Sequence, residues 1–231
     1  MRPNLIPTRL DNDGLSNAIV EIHFNTDYNA SFIQNIIKDG SESLGVKEPL
    51  MLIPLPEKQK NDNNFFLGNS EYRIQVTDKM ISFNFVRKYT LWPNYFGFVL
   101  EVLNLIEAKV SFLGSSVRYI SQFNRISIFD QLDGNFGFSF LPTFAGSEFK
   151  FKCHVSDMPY DADAIIAITD TIIVDRENSF SVVDIVVGGE LKERSLDYLK
   201  KYLDFLHKHE KNLFFIMMKE EFVKSLGAHY E

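Results

Sequence analysis

Between Asn17 and Ile126 the chain runs through strand, helix, two strands, helix and strand, an order that few folds accommodate. "NAIVEIHF" (Asn17 to Phe24) alternates, with Ala18, Val20, Ile22 and Phe24 on one face and Ile19, Glu21 and His23 on the other. "NASFIQNIIKDG" reads as a helix, with Asn29 as cap, an apolar stripe of Phe32, Ile33, Ile36 and Ile37, and Gly40 as stop. "SEYRIQVTDKMISFNFVRKY" is a hairpin turning at Thr77-Asp78-Lys79. "NYFGFVLEVLNLIEAK" is a second helix, whose stripe is predicted as Phe96, Val99, Leu100, Leu103 and Ile106. The stretch "SSVRYISQFNRI" (Ser115 to Ile126) closes the series as a strand.

That order predicts the split β-α-β of a ferredoxin-like half over residues 1–128, with helices covering one face of an antiparallel sheet. Residues 129–231 read as three antiparallel strands followed by C-terminal helices. The strands span Glu148 to Val155, Asp163 to Val174 and Ser179 to Gly189. In the helical region Leu196, Leu199, Leu203 and Leu206 share a stripe, and Gly227 is a C-cap candidate. The fold class expected is therefore α+β, the two parts packing as one compact unit.

Charge narrows the partners. The formal net charge is −7, so the chain has no overall attraction for a polyphosphate, and nucleic acid is a disfavoured partner. Cys153 is the single cysteine, which excludes an intrachain disulfide and a Cys-based zinc site. No apolar run approaches a membrane span, and the N-terminal residues lack the apolar core of a signal peptide. Those features predict a cytoplasmic protein with no membrane contact. Phenylalanine is abundant, with 22 residues, enough to fill a wide core and still supply a contact surface.

The arginines in "SSVRYISQFNRI" are the first candidate site. Alternation puts Arg118 with Ile120, Gln122, Asn124 and Ile126, and Tyr119 and Arg125 on the opposite face. Arg118 is then the core-side residue, and a bidentate pair with Glu21 across the sheet would satisfy it. The functional alternative is an anion or carboxylate clamp. Arg118, Tyr119 and Arg125 are accordingly candidate binding residues.

Other constellations are less specific. His207 and His209 are two apart, roughly 200° around a helix, so they cannot chelate one ion together. Cys153 and His154 are neighbours on a strand and face opposite sides. Asp157, Asp161 and Asp163 are expected in one loop that could hold a hard cation or simply be solvated. Asp175 or Asp184 followed by Glu190 and Lys192 matches the Asp and Glu-x-Lys pattern of metal-dependent nucleases, in which Mg²⁺ would activate water. A turn with an acid at a helix start accounts for the same residues.

Several of these segments resemble a sporadically distributed, largely uncharacterised family of prokaryotic proteins. The resembling segments are "AIVEIHF", Tyr89 and Trp92 at a helix entry, "RYIS" beside that family's Arg-Tyr-Ile-Asn strand motif, and "FLHKHEKNLFF". Ser121 stands where the motif has Asn, and Asn17-Ala18 lies where a second acidic residue is expected. The resemblance implies mobile, phage-defence or toxin–antitoxin-like loci and supplies no reaction. The function expected is a non-catalytic binding or regulatory protein without a cofactor, contacting a protein partner or a second copy of itself. Phe136, Phe138, Phe140 and Phe144 form the expected contact patch. The alternative is the Mg²⁺-dependent nuclease.

Overall fold

The computed structural model describes residues 6–12, 14–40, 65–68, 71–85, 91–133, 147–171 and 179–230. Its elements begin with β1 (Arg9–Leu10), β2 (Leu15–Asn25), α1 (Ala30–Gly40) and β3 (Phe65–Gly68). They continue through β4 (Tyr72–Val76), β5 (Met80–Phe85), α2 (Trp92–Ile106) and β6 (Ser111–Asn124). The rest are β7 (Ser147–Asp157), β8 (Tyr160–Thr171), β9 (Phe180–Glu190), α3 (Leu196–Met217), α4 (Glu220–Ser225) and β10 (Ala228–His229). Eight strands form an antiparallel sheet in the order β3-β4-β5-β2-β6-β9-β8-β7, and β1 pairs with β10. The fold is α+β. The expected series is present, with β3 added between α1 and β4.

The chain divides into two compact units that interleave along the sequence, where sequential parts at 1–128 and 129–231 were expected. The first unit is Asn17–Val117 with Gly188–Asp204; the second is Met1–Ser16, Arg118–Val187 and Phe205–Glu231.

In the first unit, β2 buries Ala18, Val20, Ile22 and Phe24, the face that alternation selects. Its antiparallel partner β5 sets Val20 opposite Phe83 and Ile22 opposite Ile81. The β4–β5 hairpin closes where Thr77 N–H donates to the Met80 carbonyl at 2.8 Å. Asp78 in that turn also accepts the Ala30 N–H at 2.9 Å, so it caps α1 together with Asn29, which accepts the Phe32 N–H at 2.9 Å. Of the stripe predicted for α1, Ile33 and Ile37 are buried while Phe32 is exposed and stacks on Tyr28 at 4.4 Å.

The stripe of α2 is rotated from the prediction. Tyr95, Phe98, Val99, Val102, Leu103 and Ile106 are buried, whereas Phe96 and Leu100 are half-buried. Tyr95 is completely buried and donates its hydroxyl proton to the Phe83 carbonyl at 2.7 Å, tying helix to sheet. Tyr72 stacks on Phe98 at 4.0 Å in the same core. Strands β6 and β9 approach very closely in this unit. A Cβ on Gly188 would lie 2.6 Å from the Ser116 Cβ and 2.8 Å from the Ser115 carbonyl oxygen.

In the second unit, β7 and β8 pair without interruption from Ser147 opposite Asp170 to Asp157 opposite Tyr160. Ala162, Ala164, Ile166 and Ile168 of β8 and Val183, Ile185 and Val187 of β9 are buried. The segment after β6 is pinned by Asp170, whose buried carboxylate accepts from the Ser127 hydroxyl at 2.6 Å and the Ile128 N–H at 3.3 Å. Helix α3 runs on to Met217 and takes in Asn212 to Met217, while Met218 forms a bridge with Leu132. Gly227 adopts φ 73° after α4 and donates its N–H to the Lys224 carbonyl at 3.0 Å, the predicted C-cap. Beyond it, His229 Nε2 lies 3.1 Å from Arg9 and 3.0 Å from Asp11.

Candidate functional site

Burial along β6 decides which way its side chains face. Val117, Ser121 and Phe123 are buried, whereas Gln122 and Asn124 are exposed. The face of Tyr119 is thus the core face, and Arg118 stands on the opposite one, the reverse of the expected orientation. Arg118 Nε donates to Asp184 Oδ1 at 2.9 Å and Nη2 to Oδ2 at 2.6 Å, a parallel bidentate pair. The two side chains are 43% and 21% exposed, so the pair sits half in solvent. Its geometry makes it a rigid fixture, while its exposure limits its net contribution to stability to about 1 kcal/mol or less.

Asp184 therefore holds the guanidinium edge that was assigned to Glu21. The Glu21 carboxylate instead accepts a hydrogen bond from the Ser116 hydroxyl at 3.3 Å. Alternation did contain a signal for Asp184: buried Val183, Ile185 and Val187 leave it on the same side as Val182 and Val186, which are half-buried. Arg125 is exposed and lies just beyond the strand with φ 62°, its N–H donating to the Ser179 carbonyl at 2.8 Å. It does not continue the alternation of β6. A left-handed residue at that point turns the chain out of the sheet.

On the core face, the Tyr119 hydroxyl meets His207 Nδ1 at 3.0 Å, with the two rings 5.6 Å apart. Burial, aided by the Lys211 charge, pushes the His207 imidazole down to about 3, so the ring is neutral near pH 7. The strand motif and the helix histidine that carried the resemblance are thus brought into one contact. His209 turns elsewhere, its ring 4.5 Å from Phe205, and burial lowers its pKa as well. The two histidines diverge as their spacing requires.

The remaining sequence candidates separate. Burial and then the Asp163 charge raise the Cys153 thiol, which disfavours the thiolate form a nucleophile needs. Asp163 pairs with Lys152 at 2.6 Å, and that contact together with His154 holds its carboxyl low. The three acids do not share a loop: Asp157 ends β7 and pairs with Lys208 at 3.3 Å, while Asp161 and Asp163 lie on β8. Among the described residues, no three His, Cys, Asp or Glu side chains converge as metal ligands. Asp184 and Glu190 both lie on β9. Six residues of extended strand separate them by about 20 Å, too far to share one Mg²⁺. Glu190 and Lys192 are exposed near the end of that strand. Asp175 and the aromatic patch Phe136, Phe138, Phe140 and Phe144 lie outside the described residues.

No protein-family model matches the chain, and neither does any curated protein. No helix among the described residues is long and apolar enough to cross a membrane.

Two arrangements stand out chemically. One is the solvent-facing Arg118–Asp184 fork, with half-buried Ile120, Val182 and Val186 on the same side of the second unit's strands. The other is the inward Tyr119–His207 contact, whose ring is neutral and largely shielded from water. The first offers charge and apolar area on a stiff support. The second is a phenol–imidazole hydrogen bond whose imidazole burial keeps neutral.

Proposed function

We propose that the chain is a non-catalytic binding or regulatory protein that acts through protein–protein contacts. The observation that carries this reading is the Arg118–Asp184 pair. Both charges are fixed in place on adjacent strands, and both remain partly open to solvent. An arginine held in one orientation loses little freedom when a partner docks, which is the property of an interface anchor. Ile120, Val182 and Val186 supply apolar area beside it. The resemblance described above supports a prokaryotic defence or toxin–antitoxin-like module as the setting.

Co-purification from the native host, followed by reconstitution with the captured protein, tests this reading. The expected result is a stoichiometric protein partner whose affinity falls at least about tenfold with Arg118→Ala and with Val186→Asp. Recovery of nucleic acid alone, or full affinity in both folded variants, overturns it.

A further inference from the structure

The buried stripe of α3 contains one residue that does not belong to it chemically. Leu196, Leu199, Leu203 and Leu206 are at most 1% exposed, and Phe214 and Met217 extend the same line. Between them, at the position where helical spacing calls for another apolar side chain, stands Glu210 at 3% exposure. A core position occupied by a carboxyl group breaks the binary pattern, and such breaks concentrate where a protein uses them.

Its surroundings are laid out along α3. Three residues earlier, His207 meets Tyr119 of β6, and four residues later, Phe214 stacks near Phe123 of the same strand at 6.4 Å. Glu210 therefore lies between two helix-to-strand contacts. The charge that acts on it is that of Lys211, whose ammonium donates to the Thr8 carbonyl at 3.4 Å. From the N-terminal segment, the Arg9 guanidinium is engaged with Asp11 and His229. Beside it, the Tyr119 hydroxyl of β6 meets His207, whose ring burial keeps neutral. Burial raises the Glu210 carboxyl well above its ordinary range, and Lys211 offsets only part of that effect.

We propose that the C-terminal half of α3 docks on β6 through a proton: it packs while Glu210 carries one and loosens once Glu210 gives it up. A protonated carboxyl is uncharged and tolerable inside the stripe, whereas a carboxylate there lacks the solvation it needs. The sign follows from linkage. Above the unfolded value of 4.5 the unfolded chain has released the proton and the folded chain still holds it. Stability therefore falls as pH rises, by a factor of about ten in the folding constant per pH unit, until Glu210 ionises in place.

Thermal unfolding of the full chain is compared with that of Glu210→Gln and Glu210→Met between about pH 4 and about pH 9. The expected result is a wild-type midpoint that drops with pH relative to both variants and meets them at the acid end. Curves that stay parallel across the range overturn the proposal. Tryptic cleavage after Lys208 and Lys211, read at one alkaline pH, reports the local release. Wild type should be cut at least about tenfold faster than Glu210→Gln, and equal rates overturn the docking claim.

Discussion

Trp92 donates its indole N–H to Asp204 Oδ1 at 2.8 Å, joining the first turn of α2 to α3 across 112 residues of sequence. Trp92 is the single tryptophan, so this bond is open to direct observation. Asp204→Ala should shift the tryptophan emission of the native protein and lower its stability by about 1 kcal/mol in urea titrations. An unchanged spectrum and midpoint would show that the bond does not persist in solution.

Tyr95→Phe should cost more. It removes the proton donated to the Phe83 carbonyl in a fully buried setting and leaves an acceptor without that donor. The expected loss is about 1–3 kcal/mol with an unchanged denaturant slope, measured by urea unfolding. A loss within error of zero would mean that another donor takes over.

The glycines divide by what surrounds them. Gly188→Ala should destabilise the chain by about 1–3 kcal/mol, because its new Cβ meets Ser116 and the Ser115 carbonyl at 2.6 and 2.8 Å. Gly97→Ala, in the middle of α2 with nothing within 4 Å of the place its Cβ would take, should stabilise by about 0.5–1 kcal/mol. Thermal midpoints of the two variants must move in opposite directions.

His207 predicts an acid-side slope. Its folded value lies near 3 against an unfolded 6.5, so below 6.5 the unfolded chain takes up a proton that the folded chain refuses. Stability from this group is complete above 6.5 and falls by about 1.4 kcal/mol for each pH unit toward 3. Comparing His207→Phe with wild type across that window isolates the effect. Identical slopes for the two proteins would remove His207 as its source.

Local elements were legible because local chemistry decides them. The alternation of β2, the Asn29 cap, the Thr77 turn and the Gly227 stop each depend on residues within a few positions of one another. The stripe of α2 departs from its prediction because Phe96 and Leu100 flank it and are apolar too, so periodicity admits two rotations. The orientation of β6 differs for a related reason: period two alone sets Ile120 and Ile126 against Val117 and Phe123, yet β6 ends at Asn124, so Ile126 never joins that face. What the sequence could not supply was strand neighbourhood. Arg118 finds Asp184 from 66 residues away, and Tyr119 finds His207 from 88. Sheet order is a tertiary outcome, and period-two patterning is silent on which strands meet.

The pairing of β1 with β10 sets Arg9 opposite His229 and Leu10 opposite Ala228. During synthesis β1 is made some 220 residues before β10, so this pairing waits for β10. Among the described strand pairs this clasp closes the longest loop, with only two residues of strand on each side to hold it. Removing Ala228 and His229 would leave β1 without the strand it pairs with here.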